Sequence, residues 1–171
     1  ELADTLARFL AGELEAPPSE SHDSSPESVL LGVLGRLVHG KVALAPSREG
    51  PSRSEVRWLL HYADESGAEM ASIVLEMTLA ATLAAGLAGH AQALVAKWVK
   101  AGALPDWLED DLEEVARLLA PAVSLGDRRV GLAFVESYAP GEALGLPRAP
   151  ARPVLEVRHL AVQVDGTPLG V

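Results

Sequence analysis

Cysteine and asparagine are both absent from this 171-residue chain. Without cysteine, the chain can form no disulfide, no thiolate nucleophile and no cysteine-ligated zinc site. The sequence also lacks a basic, apolar leader and any run of roughly 20 apolar residues, the length that spans a bilayer. It therefore predicts a cytoplasmic protein with no membrane span.

Basic residues are scarce: 14 lysines and arginines stand against 24 aspartates and glutamates, for a formal net charge of -10. A charge of this sign repels the phosphates of nucleic acids and the anionic headgroups of membranes. Neither class of partner is expected, and a basic protein surface is the more natural counterpart. The first 28 residues carry seven acids, and Arg8 is their only lysine or arginine.

The length and the 49% of hydrophobic residues predict one domain with a substantial core. Residues 1–25 are predicted to form an N-terminal helix followed by a mobile Pro/Ser linker, and residues 26–171 a single α/β domain. Asp165-Gly166 is a hairpin signal whose return strand would begin at Thr167. The natural domain is therefore expected to extend past Val171.

Hydrophobic periodicity and turn residues predict the elements of this domain. They are a helix from Ser25-Pro26-Glu27 to about Val38, a strand at 41–45, a half-buried strand at 56–62, a helical stretch from Glu65 to about Lys100 divided near Gly86 and Gly89, a helix capped by Asp106 and stopped by Pro121, a strand from Val130 to Phe134, and a last strand at 155–164 with a bulge near Arg158-His159. This grouping favours an α+β fold, with a layer of long helices packed on an antiparallel sheet.

No complete catalytic, cofactor-binding or metal-binding motif occurs in the chain. The five histidines form no His-x-x-x-His pair, and His90, in the most apolar stretch, is predicted to be a hydrogen-bonded core residue. The pairs Gly32-x-x-Gly35 and Gly86-x-x-Gly89 lack the third glycine of a dinucleotide fingerprint and are interpreted as packing positions. The acidic run from Glu109 to Glu114 is explained by the positive start of a helix, and the three tryptophans are interpreted as core and rim residues. We predict no catalytic residue, no metal and no cofactor.

One predicted helix carries the frame Asp110-x-x-x-Glu114-x-x-Arg117-x-x-x-Pro121. This frame resembles the Asp-x-x-x-Glu-x-x-Asn-x-x-x-Gly helix of the CheC/CheX class of chemotaxis phosphatases, and the predicted order of elements is similar to that of CheX. Residues 6–12 align without gaps on residues 115–121, which is similar to the duplicated helix of CheC-type members. The resemblance implies a CheX-like fold whose helical face docks on response-regulator receiver domains. It also implies that the acid contacts the regulator and that the asparagine positions water against the aspartyl phosphate.

Arg117 occupies the position of that asparagine, and the chain has no asparagine to replace it. A long cation pairs with a nearby carboxylate or binds phosphate, whereas orienting water requires a small neutral amide. The leading hypothesis is a non-catalytic, CheX-like protein-binding domain of bacterial signalling or motility, with Asp110, Glu114 and Arg117 on its docking face.

Two alternatives to this hypothesis stay open. One is a divergent phosphatase of aspartyl-phosphorylated receiver domains, in which Glu114 is retained and another group, such as Gln92, orients water. The other is a structural module that oligomerises through the Ala/Gly-rich stretch 71–97. A homodimer paired through edge strands is also compatible with the leading hypothesis.

Overall fold

The computed structural model describes residues 25–124, 129–144 and 157–170. Within these ranges the elements are four helices and six strands. The helices are α1 (Pro26–Leu37), α2 (Met77–Leu87), α3 (Gln92–Ala101) and α4 (Asp106–Val123), and the strands are β1 (Val42–Pro46), β2 (Arg57–Ala63), β3 (Glu69–Glu76), β4 (Gly131–Tyr138), β5 (Leu160–Val164) and β6 (Thr167–Gly170). The predicted helix at 1–13 and nearly all of the predicted linker lie outside the described residues.

The strands form two antiparallel three-stranded sheets, with the orders β1-β5-β6 and β3-β2-β4. Helix α1 contacts β1, helix α2 contacts β6 and β2, and helix α4 contacts β2 and β4. One cluster of buried apolar side chains joins the helices to both sheets. The predicted α+β class is confirmed, and the strands form two sheets rather than one.

Helix α1 begins as the sequence predicts. The Oγ atom of Ser25 accepts a hydrogen bond from the backbone N–H of Ser28 at 3.2 Å. Pro26 lies in the first turn, where a backbone N–H has no partner within the helix, so the N–H that proline lacks costs no hydrogen bond. The chain leaves the helix at Val38 and reverses at Gly40, whose φ of 147° is hard for a residue with a side chain to adopt.

The prediction of a helix from Glu65 onward is wrong for its first part, because residues 69–76 form strand β3. A turn at residues 64–68 reverses the chain first: the Asp64 carboxylate accepts hydrogen bonds from the backbone N–H groups of Ser66 and Ala68, and Gly67 has a φ of 78°. The segment from Glu69 to Glu76 then pairs with β2. The Ala- and Glu-rich composition favours a helix, but pairing along the whole of β2 outweighs this local helix propensity, and the segment forms a hairpin with β2.

The apolar stretch is divided into two helices, as predicted, but only Gly89 lies at the division, whereas Gly86 makes a close packing contact. Gly89, with a φ of 70°, follows the last turn of α2. Gly86 lies inside α2 where the end of α1 crosses it: a Cβ atom at this position would lie 1.8 Å from the carbonyl oxygen of Leu37. Gly32 and Gly35, also interpreted as packing positions, have no atom within 4 Å of a built Cβ, so that interpretation is wrong for them.

Helix α2 is buried along nearly its whole length. No helix in the described ranges is long and apolar enough to cross a membrane.

Helix α4 buries the stripe that its periodicity predicts: Leu108, Leu112, Val115 and Leu119. Two predictions about its ends are wrong. The residue before the first turn is Pro105, and no side chain caps the helix there. The helix also continues through Pro121 to Val123. A proline so near the end removes only one hydrogen bond of the helix, which the packing of the preceding turns outweighs.

Strand β2 is the centre of its sheet and is buried on both faces, so the prediction of a half-buried strand is wrong. Trp58, Leu60 and Tyr62 point into the helix-packed core. The Tyr62 hydroxyl donates a hydrogen bond to the Ala116 carbonyl of α4 at 2.8 Å, and burial raises the pKa of this tyrosine. The polar residues on the opposite face, including His61, are also buried.

The predicted hairpin turn at Asp165-Gly166 is confirmed, because both residues have positive φ angles and link β5 to β6. The Asp165 carboxylate also accepts a hydrogen bond from the backbone N–H of Lys41 at 2.9 Å. The bulge predicted near residues 158 and 159 is wrong: these residues precede β5, and the register of the hairpin shifts between Val162 and Gln163.

Candidate functional site

The three residues predicted to form a docking face all lie on the solvent side of α4. Asp110, Glu114 and Arg117 are exposed, on the side of the helix away from its buried stripe. We call the surface formed by Trp107, Asp110, Glu114, Arg117 and Leu118 the α4 outer face. The structure therefore places the predicted residues on one accessible surface of one rigid element.

Arg117 is held by two carboxylates of its own helix. Its guanidinium donates to Glu114 Oε2 at 2.9 Å and to Glu113 Oε2 at 3.0 Å. The hydrogen bond to Glu114, followed by the charges of both carboxylates, raises the pKa of Arg117. All three side chains are exposed, so these pairs contribute little to stability. They do occupy two of the five N–H donors with which Arg117 would otherwise bind a phosphate.

Two large apolar side chains lie near the ends of the α4 outer face. Trp107 is 48% exposed and Leu118 is 39% exposed. At 1.5 Å per residue they are roughly 16 Å apart along the helix axis. Single exposed apolar residues are common, but an exposed tryptophan is less so, and tryptophan is enriched among residues that dominate protein–protein binding.

The Trp107 ring is fixed by two other aromatic rings. Its centroid lies 4.9 Å from that of His90 and 5.8 Å from that of Trp98, both in edge-to-face geometry. This arrangement corrects the prediction for His90, which is a partly exposed loop residue and makes no side-chain hydrogen bond to any described residue. The interpretation of Trp107 as a rim residue agrees with its exposure.

A second polar cluster, which the sequence did not predict, lies on the face of the β3-β2-β4 sheet away from the helices. His61 of β2 is only 3% exposed. Its Nδ1 atom is 2.7 Å from Glu69 Oε1 on β3, and its Nε2 atom is 3.6 Å from Glu136 Oε2 on β4. The Phe134 ring stacks on the imidazole at 4.1 Å. The cluster ties the three strands together across the sheet.

Arg57, four residues before His61, continues this face of β2. One guanidinium nitrogen donates to the Glu142 carbonyl at 2.6 Å, beyond the end of β4. The Nε atom of Arg57 and the Nε2 atom of His61 are both buried without a hydrogen-bond partner among the described residues. Such atoms are unusual in native proteins, and in functional sites they often face a ligand.

The geometry of the His61 cluster does not support a reaction or a metal. No group of three or more histidine, aspartate and glutamate side chains in the described ranges could hold a metal ion. The Ser72 hydroxyl donates to Glu69 and not to His61, so it is not arranged as a nucleophile activated by the imidazole. We interpret the cluster as a cross-strand contact that positions Phe134.

We expect His61→Ala to lower the free energy of unfolding by about 2 kcal/mol, because it removes a buried ring and its bond to Glu69. His39→Ala is the matched control, since His39 is exposed, and should change stability by no more than about 0.5 kcal/mol. Urea unfolding followed by circular dichroism measures both. Equal stability of the two variants would contradict a structural role for His61.

A concavity with a volume of about 540 Å³ lies between the end of α1, the α2–α3 loop and the β5–β6 hairpin. Its polar lining includes His39, His90, Gln92 and Asp165. The Asp165 carboxylate is already hydrogen bonded to Lys41, and the remaining groups suggest no single ligand chemistry. Gln92 lines this concavity at the start of α3, whereas Glu114 lies on α4, so the two residues belong to different helices.

Comparison of the chain with models of protein families, with curated proteins and with solved structures found no match. The features that point to a function are therefore the α4 outer face and the resemblance of its Asp110-x-x-x-Glu114 frame to the CheC/CheX helix.

Proposed function

We propose that this chain is a non-catalytic, cytoplasmic protein-binding domain, CheX-like in its use of one helix, that docks on a receiver domain or another protein partner through the α4 outer face. The observation that carries the proposal is the exposure of Asp110, Glu114 and Arg117 beside Trp107 and Leu118 on one helix. Such a face combines a large aromatic anchor with polar residues that select the partner.

A docking role fits Arg117 better than a phosphatase role does. Two carboxylates hold its guanidinium, so it can contribute to a polar surface but has no amide with which to orient water. The divergent phosphatase would need another group to orient water, and the candidate Gln92 lies at the start of α3 rather than on α4. Oligomerisation through α2, the most apolar part of residues 71–97, is disfavoured as well, because α2 is buried inside its own domain.

We expect the chain to bind at least one member of a panel of phosphorylated receiver domains without accelerating the decay of their aspartyl phosphate. Trp107→Ala and Glu114→Ala should each weaken binding by about tenfold or more, the scale of about 1.4 kcal/mol typical of an interface anchor. Both quantities can be followed in the same samples, with phosphate decay read by gel mobility and binding by fluorescence anisotropy.

Matched controls lie on α1. Leu31 is 37% exposed, almost the same as Leu118, so Leu31→Ala should leave binding unchanged while Leu118→Ala weakens it. Arg36→Ala, at another exposed helical arginine, is the control for Arg117→Ala. Faster phosphate decay would show that the chain is an asparagine-free phosphatase. Binding that survives every substitution on the α4 outer face would place the docking surface elsewhere.

A further inference from the structure

The negative charge of α4 is unevenly balanced along the helix. Glu113 and Glu114 share the single positive charge of Arg117, which offsets half of their negative charge. Asp106, Glu109 and Asp110 are exposed, and none of them forms an ion pair with any residue of the described ranges. Most of the unbalanced charge therefore lies in the first two turns, around Trp107. The helix dipole stabilises acids at this end, but it does not explain an exposed tryptophan among them.

The Trp107 ring offers a fixed platform. His90 and Trp98 contact it edge to face, and their centroids lie 6.3 Å from one another. These rings touch, so no cation fits between them as it would in an open aromatic cage. About half of Trp107 remains exposed. A group that binds there stacks on a ring whose orientation is already set, which lowers the entropy cost of binding.

Aspartates adjoin this platform. Asp110 and Asp111 follow Trp107 by three and four residues and are therefore its neighbours on the helix surface. A cation over an indole face gains from the ring quadrupole, and a nearby carboxylate adds a charge-assisted hydrogen bond. The combination suits arginine better than lysine, because a planar guanidinium can stack on the ring and still direct N–H donors at a carboxylate.

We propose that the N-terminal end of the α4 outer face recognises an arginine side chain of the protein partner, stacked on Trp107 and paired with Asp110 or Asp111. This proposal rests on the proposed docking function and adds the chemistry of the partner. It requires a partner surface that is basic opposite the first two turns of α4. Toward Leu118, where Arg117 offsets part of the glutamate charge, the partner is expected to be less basic and more apolar.

A random peptide library selected on the whole chain tests this proposal without knowledge of the natural partner. We expect the selected peptides to be enriched in arginine. In a synthetic binder, replacing that arginine with citrulline keeps its shape and removes its charge, and should weaken binding by about tenfold or more. Trp107→Ala, and Asp110→Asn combined with Asp111→Asn, should cause similar losses. Glu49→Gln combined with Glu65→Gln removes the same charge from exposed positions elsewhere and should have little effect.

Binders that tolerate citrulline, binders that ignore Trp107→Ala, or a selection that yields no Trp107-dependent peptide would each overturn the arginine proposal. The receiver panel is read separately. If a receiver binds through Glu114 and Leu118 but is insensitive to Trp107→Ala, the docking function stands and the arginine proposal falls. If arginine peptides bind at Trp107 and no receiver binds, the arginine proposal stands and the receiver is the wrong partner.

Discussion

Gly86→Ala is expected to destabilise the domain by about 3 kcal/mol or more, because the new methyl group meets backbone that cannot move aside. The added Cβ would lie 1.8 Å from the Leu37 carbonyl oxygen and 2.8 Å from its carbon. Relief requires that α1 and α2 move apart, and both helices bury side chains in the core near this crossing. The gain in helix propensity from glycine to alanine, roughly 1 kcal/mol, is too small to compensate.

Gly32→Ala is the matched control, since Gly32 is also helical but has no atom within 4 Å of a built Cβ. We expect this substitution to leave stability unchanged or to raise it by up to about 1 kcal/mol, through helix propensity alone. Thermal unfolding of the two variants, with the chain concentration held fixed, compares them directly. If Gly86→Ala is as stable as Gly32→Ala, the helices do not cross as closely as the structure shows.

Local signals predicted the elements that depend on local chemistry. The Ser25 cap, the Asp165-Gly166 turn and the buried stripe of α4 each follow from a few neighbouring residues, and the structure contains all three. The segment 69–76 could not be predicted in this way, because its conformation is set by pairing with β2 across a turn. Because β3 was not predicted, the contact between Glu69 and His61 could not be predicted either.

The candidate site was predictable in part. The periodicity of α4 identifies Asp110, Glu114 and Arg117 as exposed residues of one helix, since they fall outside its apolar stripe. Nothing in the sequence shows that Trp107 meets His90 and Trp98, because that contact depends on how α3 and α4 pack. The buried His61 cluster was not predicted for a related reason. Alternation of polar and apolar residues along β2 predicts that one side of the strand faces solvent, whereas side chains of the flanking strands β3 and β4 cover His61 on that side.

The two faces of α4 should respond very differently to the same substitution. Leu112 is 1% exposed and lies in the stripe that packs on the core. Leu112→Ala is expected to lower the free energy of unfolding by about 3–5 kcal/mol, since the removed atoms leave a cavity among neighbours that relax only in part. Leu118→Ala removes the same atoms from a side chain that is 39% exposed and should cost less than about 1 kcal/mol.

Urea unfolding of the two leucine variants, read with the receiver-binding assay, separates folding from docking on one helix. Leu118→Ala should stay folded and lose affinity, and Leu112→Ala should be compromised in both because its folded population falls. If Leu118→Ala instead costs as much stability as Leu112→Ala, the side chain is covered in the folded chain. The α4 outer face would then not be free for a partner, because Leu118 and Trp107 would be held within the chain itself.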